Sequence, residues 1–88
     1  MTPRHEPEQQ RFTLPTTPVG VLDYELGPGR VIFTHTGVPS AYRGQGLAGQ
    51  LVEAGLQWAQ AEGLKVVPAC SYVQLYLQRH PEWQHLIA

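Results

Sequence analysis

"VPSAYRGQGLAGQLVEAGLQWA", residues 38–59, places an arginine and two glycines directly ahead of a run with helical periodicity. Leu47, Ala48, Leu51, Val52, Gly55, Trp58 and Ala59 recur at spacings of three and four, so they line one face of a helix expected from Gly44 to Glu62. Gly63 follows where a helix end favours a left-handed glycine. The first backbone N–H groups of a helix have no intrahelical partner and carry the positive end of its dipole, which suits phosphate. Gly44 and Gly46 lack the Cβ atoms that would hold an anion away from the backbone, and either can take the positive φ that aims successive amides inward. Arg43 adds a charged fork. The same glycines also fit a plainer reading, a turn that lets the helix pack closely on a sheet. Two phosphate-binding patterns are excluded: no Gly-Lys-Ser/Thr follows, and the third glycine and later acidic residue of the dinucleotide fingerprint are missing.

Upstream of this stretch, Val19 to Leu26 alternates, with Leu22, Tyr24 and Leu26 on one side and Val21, Asp23 and Glu25 on the other, the period of a half-buried strand. "GPG" at 27–29 turns the chain into "RVIFTHT", a second run rich in β-branched and aromatic residues. "RFTLP", ending at Pro15, supplies a short edge strand, and the polar residues 1–10 read as a flexible tail. Downstream, "LKVVP" is a short strand stopped by Pro68, and "SYVQLYLQRH" is a second helix ended by Pro81. The fold class is therefore α/β (α+β), a β-meander followed by strand, helix, strand and helix in a mixed sheet. The Arg30–Thr36 and Lys65–Val67 strands are joined through a helix and should run parallel. Where they splay at their C-terminal ends, a ligand can enter.

With 88 residues, 42% of them hydrophobic and 15% charged, the chain can bury a thin core in one domain, residues 11–88. A formal charge of −1 gives no overall electrostatic case for nucleic acid or an anionic membrane, so any anion site must be local. There is no apolar run near the roughly 20 residues that span a bilayer, and "MTPRHEPEQQRF" lacks the apolar region of a signal peptide. The lone Cys70 cannot form an internal disulfide. A cytoplasmic monomer is expected. His80 and His85 lack the spacing of a helical metal pair, so no metal is assigned.

"RGQGLAGQLVEAGLQWAQAEGLKVVPACSYVQLYLQRHPEW" resembles the acetyl-CoA-binding part of the GNAT superfamily of N-acetyltransferases, in particular its smallest stand-alone, YjdJ-type branch, over about Arg11 to Leu86. Cys-Ser-Tyr after the short strand and His-Pro-Glu after the last helix carry the resemblance to that branch. The wider superfamily often has Gln or Arg two residues before Arg43, where this chain has Ala41. The resemblance implies that the pyrophosphate of coenzyme A meets Arg43, Gly44, Gln45, Gly46, Leu47 and Ala48, while Val38 pairs with the pantetheine arm in the splay. It favours Cys70 at the centre of the site and matches Tyr76 to a tyrosine that acts as general acid for the departing thiolate; Tyr72 is the nearby competitor for that role and is expected among the cofactor-binding residues.

Acetyl transfer to an amine needs a neutral nucleophile, donors for the oxyanion and a proton for the thiolate. Cys70, just past a strand end, can donate that proton or, as thiolate, take the acetyl group; it also fits as a small buried hydrophobe. His35 reads as sharing a strand face with Val31 and Phe33 and is the candidate base near neutral pH, or a structural histidine. Tyr72 and Tyr76, four residues apart, also fit as packing on one helix face. Trp58 and Trp83 read as cover for the core. The function implied is acetyl-CoA-dependent acetylation of an amine: a protein lysine, an N-terminus or a polyamine. A coenzyme A sensor without turnover and an interaction domain without cofactor are the alternatives.

Overall fold

The computed structural model describes residues 2–88, and in it the stretch that decides the fold begins its helix three residues later than periodicity suggests. Gly44 and Gly46 both have positive φ, +81° and +71°, so they stand outside helix α1, Leu47–Ala61. The far end closes as expected: Gly63 is left-handed, its N–H bonds Gln60 O, and Leu64 N–H bonds Ala59 O, a Schellman closure.

Five strands form one sheet in chain order: β1, Arg4–Glu6; β2, Arg11–Leu14; β3, Gly20–Gly27; β4, Arg30–Gly37; and β5, Lys65–Pro68. The first three pairings are antiparallel and β4–β5 is parallel, as a helical crossover through α1 requires. Helix α2, Ser71–Arg79, and a 3₁₀ turn over Pro81–Leu86 complete the chain. Its end returns to the sheet, where Ile87 bridges Val66 and Ala88 N–H bonds Val66 O.

The core lies between one face of this sheet and the two helices. Leu22, Val31, Phe33 and Val66 meet Leu51, Val52, Leu56 and Ala59 of α1 and Val73 of α2, all fully buried. Gly55 belongs to this contact: a Cβ there would lie 2.8 Å from Leu22 Cδ2 and 2.9 Å from Phe33 Cζ, so its glycine is required by close helix–sheet approach. Trp58 and Trp83 are half-buried against the same core.

Two expectations at the N-terminus are corrected. The stretch 1–10 is not a loose tail among its described residues, because β1 pairs with β2. His5 stacks on Phe12 with ring centres 4.2 Å apart, and its Nε2 lies 2.7 Å from the Tyr24 hydroxyl, within an aromatic group that includes Trp58. Tyr24 and Trp58 come from distant parts of the chain, so the polar sequence alone does not announce these contacts. For the same reason β2 is not an edge strand. Leu26, expected on the buried side of β3, is 52% exposed, since it lies at the hairpin tip.

Candidate active site

The site is built by a change of partners along β4. Arg30–Phe33 pair with both β3 and β5, and the β5 ladder ends at Phe33↔Pro68. The chain then departs into α2, with Cys70 N–H donating to Phe33 O at 2.9 Å. Beyond that rung Thr34–Gly37 have no β5 partner. The β3 pairing also shifts here: Tyr24 faces Phe33 and Asp23 faces His35, which leaves Thr34 as the extra residue of a β-bulge.

The bulge reverses the alternation. His35 was expected on the face of Val31 and Phe33; it stands on the opposite, outer face with Asp23, and is exposed. Thr36 takes the helix-side position in its place, opposite Leu22, and its Oγ1 lies 3.6 Å from Cys70 Sγ. His35 therefore cannot serve as the base that activates Cys70. A bulge centred on threonine carries no glycine signal, so the sequence does not reveal the reversal.

Thr36 opens onto a cleft of about 360 Å³ between the end of β4, the loop before α1 and the start of α2. Val38, Arg43, Gly44, Gly46, Leu47, Ala48 and Tyr72, all expected at the cofactor, line it; Gln45 does not. Thr36 and Tyr42 are lining residues that sequence reasoning missed. Tyr42 ends a 3₁₀ turn, Ser40–Tyr42, that carries the chain from β4 to the glycines. A Cβ at Gly44 or Gly46 would meet no protein atom within 4 Å, so the space beside both backbones is open. Left-handed glycines, the start of α1 and Arg43 at one cleft wall are residues that could hold a pyrophosphate.

Cys70 caps the start of α2 and is half-buried, one residue behind the cleft wall formed by Thr36. Burial works against its thiolate, but the polar surroundings at the start of α2, the Thr36 hydroxyl and the nearby backbone amides of Val73, Tyr72 and Thr36, outweigh it, and the thiol pKa is lowered from its ordinary value. Tyr76 does not line the cleft: it faces Gly49 of α1, stacks on His80 at 4.0 Å, and lines a separate groove of about 220 Å³. Burial raises the pKa of both Tyr72 and Tyr76, so each phenol stays a proton donor. Among the described residues no group of three metal-ligating side chains occurs, and no helix is long and apolar enough to cross a membrane.

Comparison with known proteins gives three concordant findings. Residues 11–86 match the sequence profile of the family described as GCN5-related N-acetyl-transferase. The chain is 36% identical to Protein NATD1 of Gallus gallus over 86 residues, which is 93% of this chain and 78% of that protein. It is likewise 36% identical over 86 residues to Protein NATD1 of Homo sapiens, covering 93% and 76%. In three dimensions it resembles the NMR solution structure of a GCN5-like protein from Staphylococcus aureus, with a TM-score of 0.80 over 98% of this chain and 86% of that one, at 20% identity.

Proposed function

This chain belongs to the GCN5-related N-acetyltransferase family, and we propose that it binds acetyl-CoA in the cleft ahead of α1 and transfers the acetyl group to an amine. The observation that carries this reading is the pair of left-handed glycines, Gly44 and Gly46, whose missing Cβ atoms leave the cradle open. On this reading Arg43 and the amides of Gly44 to Ala48 hold the pyrophosphate, and Val38 and the unpaired edge of β4 receive the pantetheine arm. Gln45 contributes through its backbone, since its side chain is not at the cleft wall.

Bound acetyl-CoA supplies a thioester whose carbonyl carbon accepts the amine nitrogen as the C–S bond breaks. Cys70 stands behind Thr36, whose Oγ1 lies 3.6 Å from its Sγ, where a thiol can return a proton to a departing sulfur. Tyr72, a phenol at the cleft wall, is the closer tyrosine for that role, ahead of Tyr76. No additional helices wall the outer face of the sheet among the described residues, which suits an exposed lysine, an N-terminus or a polyamine as acceptor. A free Cys70 fits a reducing, cytoplasmic setting.

A second reading is a module that binds coenzyme A without turnover, favoured by the absence of both Cys70 and Tyr76 from the cleft lining. Titration calorimetry tests what the two share: acetyl-CoA and coenzyme A should bind, and pantetheine, which lacks the pyrophosphate, far more weakly. No heat with coenzyme A at millimolar concentration sinks both readings. Labelled acetyl-CoA with a panel of amines then separates them.

A further inference from the structure

Resting on the acetyl-transfer reading, we propose that a second cleft, on the sheet face opposite the helices, binds a carboxylate of the acceptor through Arg4 and Arg11, so that the preferred amines carry an acidic group nearby. The cleft has a volume of about 370 Å³ and lies between β1, β2 and the loop that joins β2 to β3. Register puts its charged wall on the outer face: Arg4 faces Thr13 and Glu6 faces Arg11, while His5 and Phe12 between them turn to the helix side. Pro15 and Val19 form an apolar rim.

The charges in this cleft do not cancel. Glu6 Oε1 accepts from Arg11 Nε at 2.9 Å and Glu6 Oε2 accepts from the Thr13 hydroxyl at 3.3 Å, so both carboxylate oxygens are occupied. The Arg11 hydrogen bond lowers the Glu6 pKa, which keeps the carboxylate ionised and the guanidinium in place. Among the described residues Arg11 has no side-chain partner other than Glu6, and Arg4 makes no ion pair. Two guanidinium groups against one carboxylate leave a single positive charge, the complement of one further carboxylate. Arg11, aimed by Glu6, supplies a planar fork, and Arg4 supplies the uncompensated charge. One row of the outer face joins the cleft to the end of β4 that lacks a β5 partner: Arg4 faces Thr13, Thr13 faces Val21, and Val21 faces Gly37. Neighbouring strands lie about 4.8 Å apart, so Thr13 is about 10 Å from Gly37 along the row, a gap that an extended chain covers in about three residues. Val21, half-buried between them, is an apolar floor for the methylene stem of a lysine.

The test uses acceptor peptides with blocked ends and one lysine, identical except that one carries Glu and the other Gln about three residues to either side of the lysine. The unmodified protein should prefer the Glu peptide by about 10-fold in kcat/KM, through KM and not kcat, because the contact lies away from the reacting atoms and is equal in ground and transition states. Raising NaCl to about 0.5 M should shrink the preference. Arg4→Glu, at an exposed side chain, should abolish it and favour a third peptide with Arg in place of Glu. A merely structural effect of that substitution would slow all three peptides alike. Independently of turnover, the Glu peptide added to the coenzyme A complex should shift the backbone amide NMR signals of Thr13 and Val21, and the Gln peptide should not. Absence of coenzyme A binding refutes the acetyl-transfer reading and this acceptor role with it. Coenzyme A binding together with equal kcat/KM for the Glu and Gln peptides, a preference that survives Arg4→Glu, or unmoved Thr13 and Val21 signals refutes the proposal alone.

Discussion

The two halves of β4 differ in both pairing and burial. Arg30–Phe33 pair on both sides and hold Val31 and Phe33 at zero exposure, whereas Thr34–Gly37 pair on one side and contain no buried side chain. The first half stores stability in apolar contact. The second half, turned by the bulge, leaves one backbone edge without a β5 partner, while its Thr34 and Thr36 hydroxyls meet Asp23 O and Cys70 Sγ. On the proposed reading, one short strand divides folding and cofactor binding between residues only three apart.

The sharpest way to break that division is to truncate both halves. Phe33→Ala leaves a cavity under Gly55 and should cost about 3–5 kcal/mol, enough to unfold much of so small a domain. Thr36→Val removes one hydrogen bond and should cost about 1 kcal/mol or less. Urea denaturation measures both, and equal losses would show that the second half also carries the fold.

Binding should show the reverse order. Gly46→Val puts a branched side chain at a left-handed position facing the cleft, and should weaken coenzyme A by about 100-fold, the equivalent of two to three kcal/mol of lost contacts to charge. Arg43→Ala, losing one charge-assisted contact, should weaken it by about 10-fold. Phe33→Leu, which keeps the core largely filled, should leave affinity within about 3-fold. Calorimetry on the three variants decides whether the cradle works independently of the packed half.

How much of this was legible follows the same division. The packed half was: alternation around Phe33, the Gly-Pro-Gly turn and the spacing of Leu47, Leu51 and Leu56 are local signals, and they give the meander, α1 and the parallel crossover. The left-handed turn ahead of α1 was legible too, since positive φ and open space are what Gly44 and Gly46 permit. His35 was read onto the wrong face because an alternation count assumes no extra residue, and Thr34 gives no sign of being one. Thr36 was missed for the same reason. The strand at Arg4–Glu6 was missed because its polar, proline-flanked residues lack a strand alternation, and its pairing with β2 is backed by His5 contacts to Phe12, Tyr24 and Trp58 that no local pattern encodes.

Cys70 sits where the two halves meet, with its N–H on Phe33 and its thiol against Thr36, so its chemistry reports on the junction. Direct attack by the amine is the expected course, because exchange of one thioester for another gains little driving force. Intact-protein mass spectrometry after incubation with acetyl-CoA alone should show no stoichiometric adduct, and Cys70→Ala should lower turnover more than affinity. Thr36→Val removes the hydroxyl, one of the groups that lower the Cys70 pKa against burial, so the pH midpoint for alkylation of Cys70 by iodoacetamide should rise. A rapidly formed acetyl-Cys70 that passes its acetyl group to amine at the steady-state rate would overturn direct attack, and an unmoved midpoint would detach Cys70 from the second half.

The smallest expected effect belongs to the packed side, where His5 bonds Tyr24, the residue that faces Phe33 across the sheet. Burial lowers the His5 pKa below its ordinary 6.5, against a weaker pull from the Glu62 carboxylate in the other direction. A histidine whose folded value is depressed binds its proton more readily in the unfolded chain. Its contribution to stability is therefore intact above about pH 6.5, falls as pH drops through that value, and stops falling below the lower folded value. Urea midpoints at pH 7.5 and 5.5 should show this loss in the unmodified protein. His5→Phe keeps the stack on Phe12 and removes the titrating group, so its loss over the same interval should be smaller. Coenzyme A affinity should not follow His5, because β1 and β4 lie on opposite edges of β2–β3. Should affinity fall with His5 protonation, measured as a pH dependence that His5→Phe abolishes, the two halves of β4 would be coupled through Tyr24 and Phe33.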